Sequence, residues 1–193
     1  MKSSKLLLVV LGVIVLIGIV WWYSYNSLIS LSENVNNAWA NVESQYQRRA
    51  DLVDNLVSTV KGAADFEKST LMAVTDARAR ATSIQVDPSK LTAQKLQEFQ
   101  QAQGALSTAI GRLLAVAENY PELRAVDAFR DLQAQLEGTE NRINEARRQF
   151  NEAARNYNAG KKKFPRNLFA SGYEDRAYFE ADKGTEKAPK VQF

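Results

Sequence analysis

The chain has 193 residues, with neither cysteine nor histidine, and its 25 Lys and Arg nearly balance its 22 Asp and Glu. The first absence excludes disulfides, thiolate nucleophiles and thiolate metal sites, and the second excludes Ser-His-Asp and Cys-His machinery. A net charge of +3 is too small for the electrostatic footprint of a nucleic-acid binder, so no nucleic-acid partner is expected.

Residues 6–22 read LLLVVLGVIVLIGIVWW, seventeen apolar residues without a break. Continued through Tyr23 and Tyr25, the run reaches about 20 residues, or ~30 Å of helix, which crosses a bilayer core. It opens at Leu6 and closes on Trp21, Trp22 and Tyr23, where amphipathic rings sit at headgroup level. It is longer than the apolar region of a signal peptide and no A-x-A pattern follows it, so an uncleaved, single-pass anchor over residues 1–25 is expected. Lys2 and Lys5 precede the span and no Lys or Arg follows before Arg48. The positive-inside rule therefore predicts a cytoplasmic N-terminus and an extracytoplasmic domain, with the lipid bilayer as the first partner.

Beyond the anchor, Leu28, Leu31, Val35, Trp39, Val42, Tyr46, Ala50, Val53, Val57, Val60 and Ala64 recur with a period of 3.6, one stripe of a nearly straight amphipathic helix. Nothing between Trp22 and Lys61 breaks it, so the spanning helix is expected to run on into the domain as a rod of roughly 80 Å. Gly62 opens a weak stretch. Leu71, Val74, Ala77, Ala81 and Ile84 mark a second helix, stopped by Asp87-Pro88-Ser89. The spacing then becomes seven: Phe99, Leu106, Leu113 and Tyr120 with Ala102, Ala109 and Val116, and, after Pro121, Phe129, Leu136, Ile143, Phe150 and Tyr157 with Leu132, Thr139, Ala146 and Ala153. Heptad seams pack helices side by side at shallow angles, and short connections make neighbours antiparallel. The predicted fold is all-α: a transmembrane helix continuing into a long antiparallel four-helix bundle over residues 26–160, with helices near 27–62, 65–86, 91–119 and 122–159. Gly160 is expected at the C′ position of the last helix. Residues 161–193 form an irregular tail whose Phe164, Leu168, Phe169, Tyr173, Tyr178, Phe179 and Phe193 are too apolar for a free linker.

Few residues offer chemistry. A di-iron bundle site needs Glu-x-x-His pairs, and there is no histidine. Glu118, Glu122, Glu137 and Glu140 suit solvated helix faces better than a hard-cation cage, and no phosphate loop or nucleophile elbow occurs. No cofactor and no enzymatic activity are expected. Gly104 and Gly111 read as points of close helix packing, and Gly138 as a place where a neighbour approaches. Two polar clusters interrupt the stripes: Arg48 and Arg49 in the first helix, and Glu137, Thr139, Glu140 and Asn141 in the last. Aligning the mid-points of two antiparallel helices brings Arg48 or Arg49 opposite Glu137 or Glu140, and an Arg49–Glu140 pair, assisted by Thr139 and Asn141, is predicted as a layer that sets helix register; the rival reading is a binding patch. At the end of the last helix, Lys161, Lys162, Lys163 and Arg166 interleave with Phe164 and Phe169, the composition of an interfacial membrane segment. The alternative is that this tail crosses to a neighbouring subunit.

The chain resembles the LemA family of bacterial membrane proteins. The resemblance rests on the N-terminal anchor, on WANVESQYQRRADLVDNLVSTVK at 39–61, on AVAENYPELRA at 115–125, on Leu132 through Ile143 with LEGTENRI at 136–143, and on Tyr157-Asn158, Phe164-Pro165 and Tyr178-Phe179-Glu180. It spans roughly residues 26–193. One departure is Asp54, where members often have proline before Asn-Leu, so the first helix is expected to lack that kink. The resemblance implies a single-pass protein of the bacterial cytoplasmic (inner) membrane, with an extended helical bundle and no established catalytic residues. It also implies kinship with proteins associated with building specialised membrane compartments.

The expected function is a membrane-anchored, non-catalytic scaffold that self-associates into a homo-oligomer. Trp39 and Tyr46 stand among smaller residues on the first helix, and anchors fixed in one orientation concentrate identical faces. A cyclic assembly with heterologous contacts is predicted. The alternative is an accessory protein that tethers or regulates an unidentified membrane protein, such as a protease or sensor.

Overall fold

The computed structural model describes residues 2–62, 66–168 and 170–180, with side chains from Lys5 onward. Five helices follow in order: α1 (Lys2–Lys61), α2 (Lys68–Ser83), α3 (Ala93–Ala117), α4 (Pro121–Arg124) and α5 (Asp127–Lys162). Short 3-10 turns lie at Pro88–Lys90 and Arg166–Leu168, and there is no strand among the described residues.

α1 has 60 residues and is about 90 Å long. No proline interrupts it, and Asp54, in place of a kinking residue, instead pairs with Arg78 of α2. From Leu6 to Tyr23 its apolar side chains are exposed, and its most apolar 18-residue window has a mean hydropathy of 2.8 with nothing buried. This is the one described helix long and apolar enough to cross a membrane. From Leu28 onward the same helix becomes a core element: Leu28, Val35, Trp39, Val42, Tyr46, Ala50, Val53, Val57 and Val60 are buried, and Leu31 is partly so. Ala64 lies outside the described residues.

α1 and α5 are antiparallel neighbours. Gly160 lies against Leu31, the Asn41 amide donates to Gln149 Oε1 at 3.3 Å, and Arg49 pairs with Glu140 at 3.1 Å. The α5 column Phe129, Leu136, Ile143, Phe150 and Tyr157 is buried, with Leu132, Thr139 and Ala146 beside it, and Ala154 is buried where the spacing predicts Ala153, which is only partly so. In α3 the column Phe99, Leu106 and Leu113 is buried, but its partner is Leu96, Gln103, Ile110 and Ala117 rather than Ala102, Ala109 and Val116. The apolar stripe lies on the other flank of the column.

The core has two parts. In the half far from the apolar segment, α1, α2, α3 and α5 share one cluster that includes Leu56, Val60, Val74, Leu113 and Leu132. In the near half the cluster holds Trp39, Phe99, Phe150 and Tyr157 with Phe179 of the tail, and no residue of α2. Four helices running the full length of the domain are therefore not what forms. α2 has 16 residues and ends at Ser83, with Ile84 extended; helix does not resume before Pro88, which opens a 3-10 turn whose first residues are capped by the Asp87 carboxylate. The vacancy left beside α1 and α5 is filled by the extended segment 173–180.

The glycines also differ from expectation. α5 continues through Lys162, so Gly160 is an interior helical residue. Its role is close approach, because a Cβ there would lie 2.5 Å from Leu31 Cδ1. Gly104, Gly111 and Gly138 have nothing within 4 Å of an added Cβ, so none of them marks helix contact. Trp39 and Tyr46, expected where copies meet, are buried inside their own domain.

These contrasts set opposite signs for two substitutions. Gly138→Ala adds a methyl group in open space and removes backbone freedom from the unfolded chain, and should stabilise by about 0.5–1 kcal/mol. Phe150→Ala empties a fully buried ring site and should cost about 3–5 kcal/mol. Thermal unfolding followed by circular dichroism in detergent checks both.

Candidate functional site

Two constructed polar sites lie in this fold, one between the two core clusters and one where the tail docks. The first centres on Arg49, whose side chain is only 3% exposed. Its Nη1 donates to Ser107 Oγ at 2.7 Å and to Glu140 Oε2 at 3.1 Å. Its Nη2 donates to Gln103 Oε1 at 2.6 Å and to the Gln103 carbonyl at 3.2 Å. The guanidinium also lies 5.0 Å from the centre of the Tyr46 ring. The Gln103 amide then reaches the Ala81 carbonyl of α2 at 3.2 Å. One buried cation thus ties α1, α3 and α5 together, and through Gln103 also α2. It stands between Tyr46 and Leu52 on α1, as Gln103 stands between Phe99 and Leu106 on α3. A polar cleft of about 400 Å³ opens beside it, lined by Tyr46, Arg49, Gln103, Ser107, Glu140 and Arg147.

The other members of the expected layer do not join it. Thr139 is fully buried, but its hydroxyl donates to the Gln135 carbonyl of its own helix. Asn141, Arg48 and Glu137 are exposed. The assistance comes instead from α3, whose Gln103 and Ser107 were not among the sequence candidates. A polar residue at the seven-residue spacing Leu96, Gln103, Ile110 was the available signal.

The second site is built on α5. The side-chain amide of Asn158 donates to the Arg176 carbonyl at 2.9 Å, and its oxygen accepts from the Arg176 N–H at 2.8 Å. Asn151 repeats both bonds with Phe179, at 2.9 and 2.8 Å. Buried or half-buried backbone must find partners, and here no strand supplies them, so two asparagines do. Phe179 stacks on Trp39 with centroids 6.0 Å apart and meets Phe150 edge-on at 5.4 Å. The Lys161 ammonium donates to the Tyr173 carbonyl at 2.7 Å, and Lys161 and Lys162 both pair with Asp175, at 2.5 and 3.1 Å.

This docking divides the expected membrane-interface residues. Lys161 is largely covered and Lys162 is paired, whereas Lys163 and Phe164 are exposed, as is Leu168. Arg166 is half-buried beside Gly160, and Phe169 lies outside the described residues, as does Phe193. The Arg166–Leu168 turn touches both α1 and α5. At the end of the apolar run, Trp21, Trp22 and Tyr23 are exposed on α1, and Trp21 stacks on Tyr25 at 5.8 Å. Among the described residues no three acidic side chains gather as a metal site would require.

These elements define a class: a long helix, apolar and exposed at one end, that becomes a core stave of a helical domain. The chain belongs to the LemA family, whose model matches residues 38–193. It is similar to magnetosome proteins MamQ 2 and MamQ 1 of Paramagnetospirillum magneticum, each 27% identical over 177 residues that cover 81% of this chain and 64% of the relative. The magnetosome protein MamQ of Magnetospirillum gryphiswaldense is 24% identical over 176 residues, covering 80% and 64%. The chain thus spans somewhat under two thirds of the length of these relatives. Family and exposed apolar helix together indicate a membrane-associated protein, and neither the family name nor the relatives' names denote an enzyme.

Two outcomes follow. Glu140→Gln keeps an oxygen that can accept from Arg49 but removes the one carboxylate paired with it among the described residues, and because Glu140 is half exposed it should lower stability by about 1 kcal/mol in denaturant unfolding, the difference between a charged and a neutral hydrogen bond. Hydrogen bonds from Lys161 and Lys162 hold the Asp175 carboxyl below its ordinary value of 3.8. A folded-state pKa that is depressed gives stability that is complete above the ordinary value and lost as pH falls through the depressed one. The tail contact should therefore be intact at neutral pH and loosen only below pH 3.8. A carboxyl-carbon NMR titration of Asp175 in detergent should place its midpoint below that value; a midpoint at or above it rejects the latch.

Proposed function

We propose that this protein is a membrane-anchored, non-catalytic scaffold or assembly protein that self-associates into a homo-oligomer. In this reading it sits in the bacterial inner membrane, crossed once, with the N-terminus cytoplasmic and the helical domain outside. The observation that carries it is the continuity of α1: one uninterrupted helix is exposed and apolar at one end and forms the domain's core seam at the other. A joint with no loop transmits the orientation of the anchor to the whole domain. Copies in one bilayer then stand upright at one height, and weak lateral contacts suffice at the high local concentration of two dimensions. The missing histidine and cysteine and an Arg49 already matched by Glu140 leave little for catalysis. The relatives named as magnetosome proteins favour a role in shaping or maintaining a membrane compartment over an enzymatic one.

A second observation favours a membrane foot at the base of the domain. Gly160 packs on Leu31, six residues or ~9 Å beyond Tyr25 along α1, and Phe164 and Leu168 next to it are 79% and 63% exposed. With Lys163 beside them, these side chains suit the headgroup boundary: rings and aliphatic groups enter while the cation meets phosphate.

Sizing in mild detergent tests the assembly: a discrete homo-oligomer is expected, while a monomer that co-purifies with another membrane protein supports the accessory reading instead. The foot is tested with a nitroxide at Leu168→Cys, in a chain that has no other cysteine. In anionic liposomes the label should be shielded from an aqueous relaxing agent; full accessibility rejects the foot.

A further inference from the structure

Tyr173–Glu180 is held by the helices much as a groove holds a peptide. Asn151 and Asn158 are seven residues apart on α5, ~10.5 Å along the axis. The residues that they read, Arg176 and Phe179, are three apart, ~9–10 Å in extended chain. The two spacings match, which is why both amides can close paired bonds on the backbone. Beyond them, Gln100 of α3 and Arg147 of α5 both donate to the Glu180 carbonyl, each at 3.2 Å.

Two side chains of the segment are read as well. Phe179 enters the ring cluster of Trp39 and Phe150, with the Arg147 guanidinium 4.9 Å from its centre. Arg176 lies over Tyr157 at 5.1 Å, and donates to the Pro88 carbonyl at 2.6 Å and to Ser32 Oγ at 3.1 Å. The groove therefore recognises an extended peptide by its backbone, one arginine, and one aromatic residue three positions on.

Between α5 and this segment lie ten residues, Lys163 to Gly172. Among the described residues of this stretch two backbone bonds close within it, Asn167 to Lys163 and Leu168 to Pro165, while the Lys163 N–H donates to Gly160 and the Tyr173 N–H to Ala170. Gly172 has φ +92, a conformation open to glycine and strained for other residues. Ten residues pulled out span up to ~33–36 Å, more than the ~20 Å width of a domain two helix layers thick. Every contact made by the segment within its own chain can be made identically in a neighbour, so linker length and local concentration decide which groove it fills.

We propose that this groove is a docking site for the Arg176-to-Phe179 segment of a second copy, so that neighbouring anchored copies exchange their tails. The proposal rests on the self-association reading and names its contact. Because the anchors align the copies, each offered segment stands at the height of the next copy's groove, and exchange propagates head to tail around a ring.

The absence of cysteine makes the test direct. Full-length chains carrying only Gln100→Cys and differently tagged chains carrying only Glu180→Cys are reconstituted together in liposomes and treated with a short bismaleimide. A covalent dimer bearing both tags is expected, and Phe179→Asp on the Glu180→Cys chain should reduce it at least about tenfold, equivalent to ~1.4 kcal/mol. A chain carrying both cysteines reports docking within one copy. If that chain links to itself while the mixed chains do not, exchange is overturned. Sizing of the same sample separates the two readings: an oligomer without mixed links overturns the exchange and leaves self-association standing, and a monomer overturns both. Equal mixed linking with and without Phe179→Asp shows random collision and also overturns the exchange.

Discussion

An extended chain cannot satisfy its own backbone, and burying it without a sheet requires side chains to act as the missing strand. The half of the domain nearest the apolar segment depends on that constraint. Asn151 and Asn158 supply four hydrogen bonds to Arg176 and Phe179, and only with the segment held there does Phe179 cover Trp39 and Phe150. Each net hydrogen bond is worth about 0.5–1.5 kcal/mol, and each aromatic contact about as much beyond its buried area. The tail is thus a structural member, and the core that it closes is the one that α1 carries up from the membrane.

The Arg49 layer works on the other side of this core. Two apolar clusters stacked along a bundle can slide by a turn at little cost, since one aliphatic heptad resembles the next. A buried cation that must meet Glu140, Ser107 and Gln103 at once has a single acceptable register. It also forbids exchange of positions between α3 and α5, because one offers neutral acceptors and the other a carboxylate. Specificity is the main return, since a buried ion pair in general adds less stability than apolar packing of the same volume.

These two sites share α1, and that sharing links location to assembly. A helix that is exposed and apolar over its first turns and core-facing over its last cannot change its direction without carrying the domain with it. The groove, the tail and the exposed Phe164 and Leu168 are therefore placed at a fixed distance along α1 from its exposed apolar segment.

Sequence periodicity alone determined the helices, the exposed apolar run and the buried columns of α1 and α5, because a 3.6 or seven-residue repeat survives whatever the helix packs against. Aligning antiparallel mid-points also brought Arg48 or Arg49 opposite Glu137 or Glu140, and the structure pairs Arg49 with Glu140. What periodicity left open needed a third dimension. The α3 flank that packs was decided by which neighbour lies there, so Gln103 replaced Ala102 in the seam. The place of the fourth helix was decided by the end of α2 at Ser83, which left a gap that no local pattern announces. Asn151 and Asn158 look like surface residues on a helix until an extended chain from 28 and 18 positions further on, respectively, is laid across them. Long-range backbone recognition carries no periodic trace, and only the tertiary structure decides it.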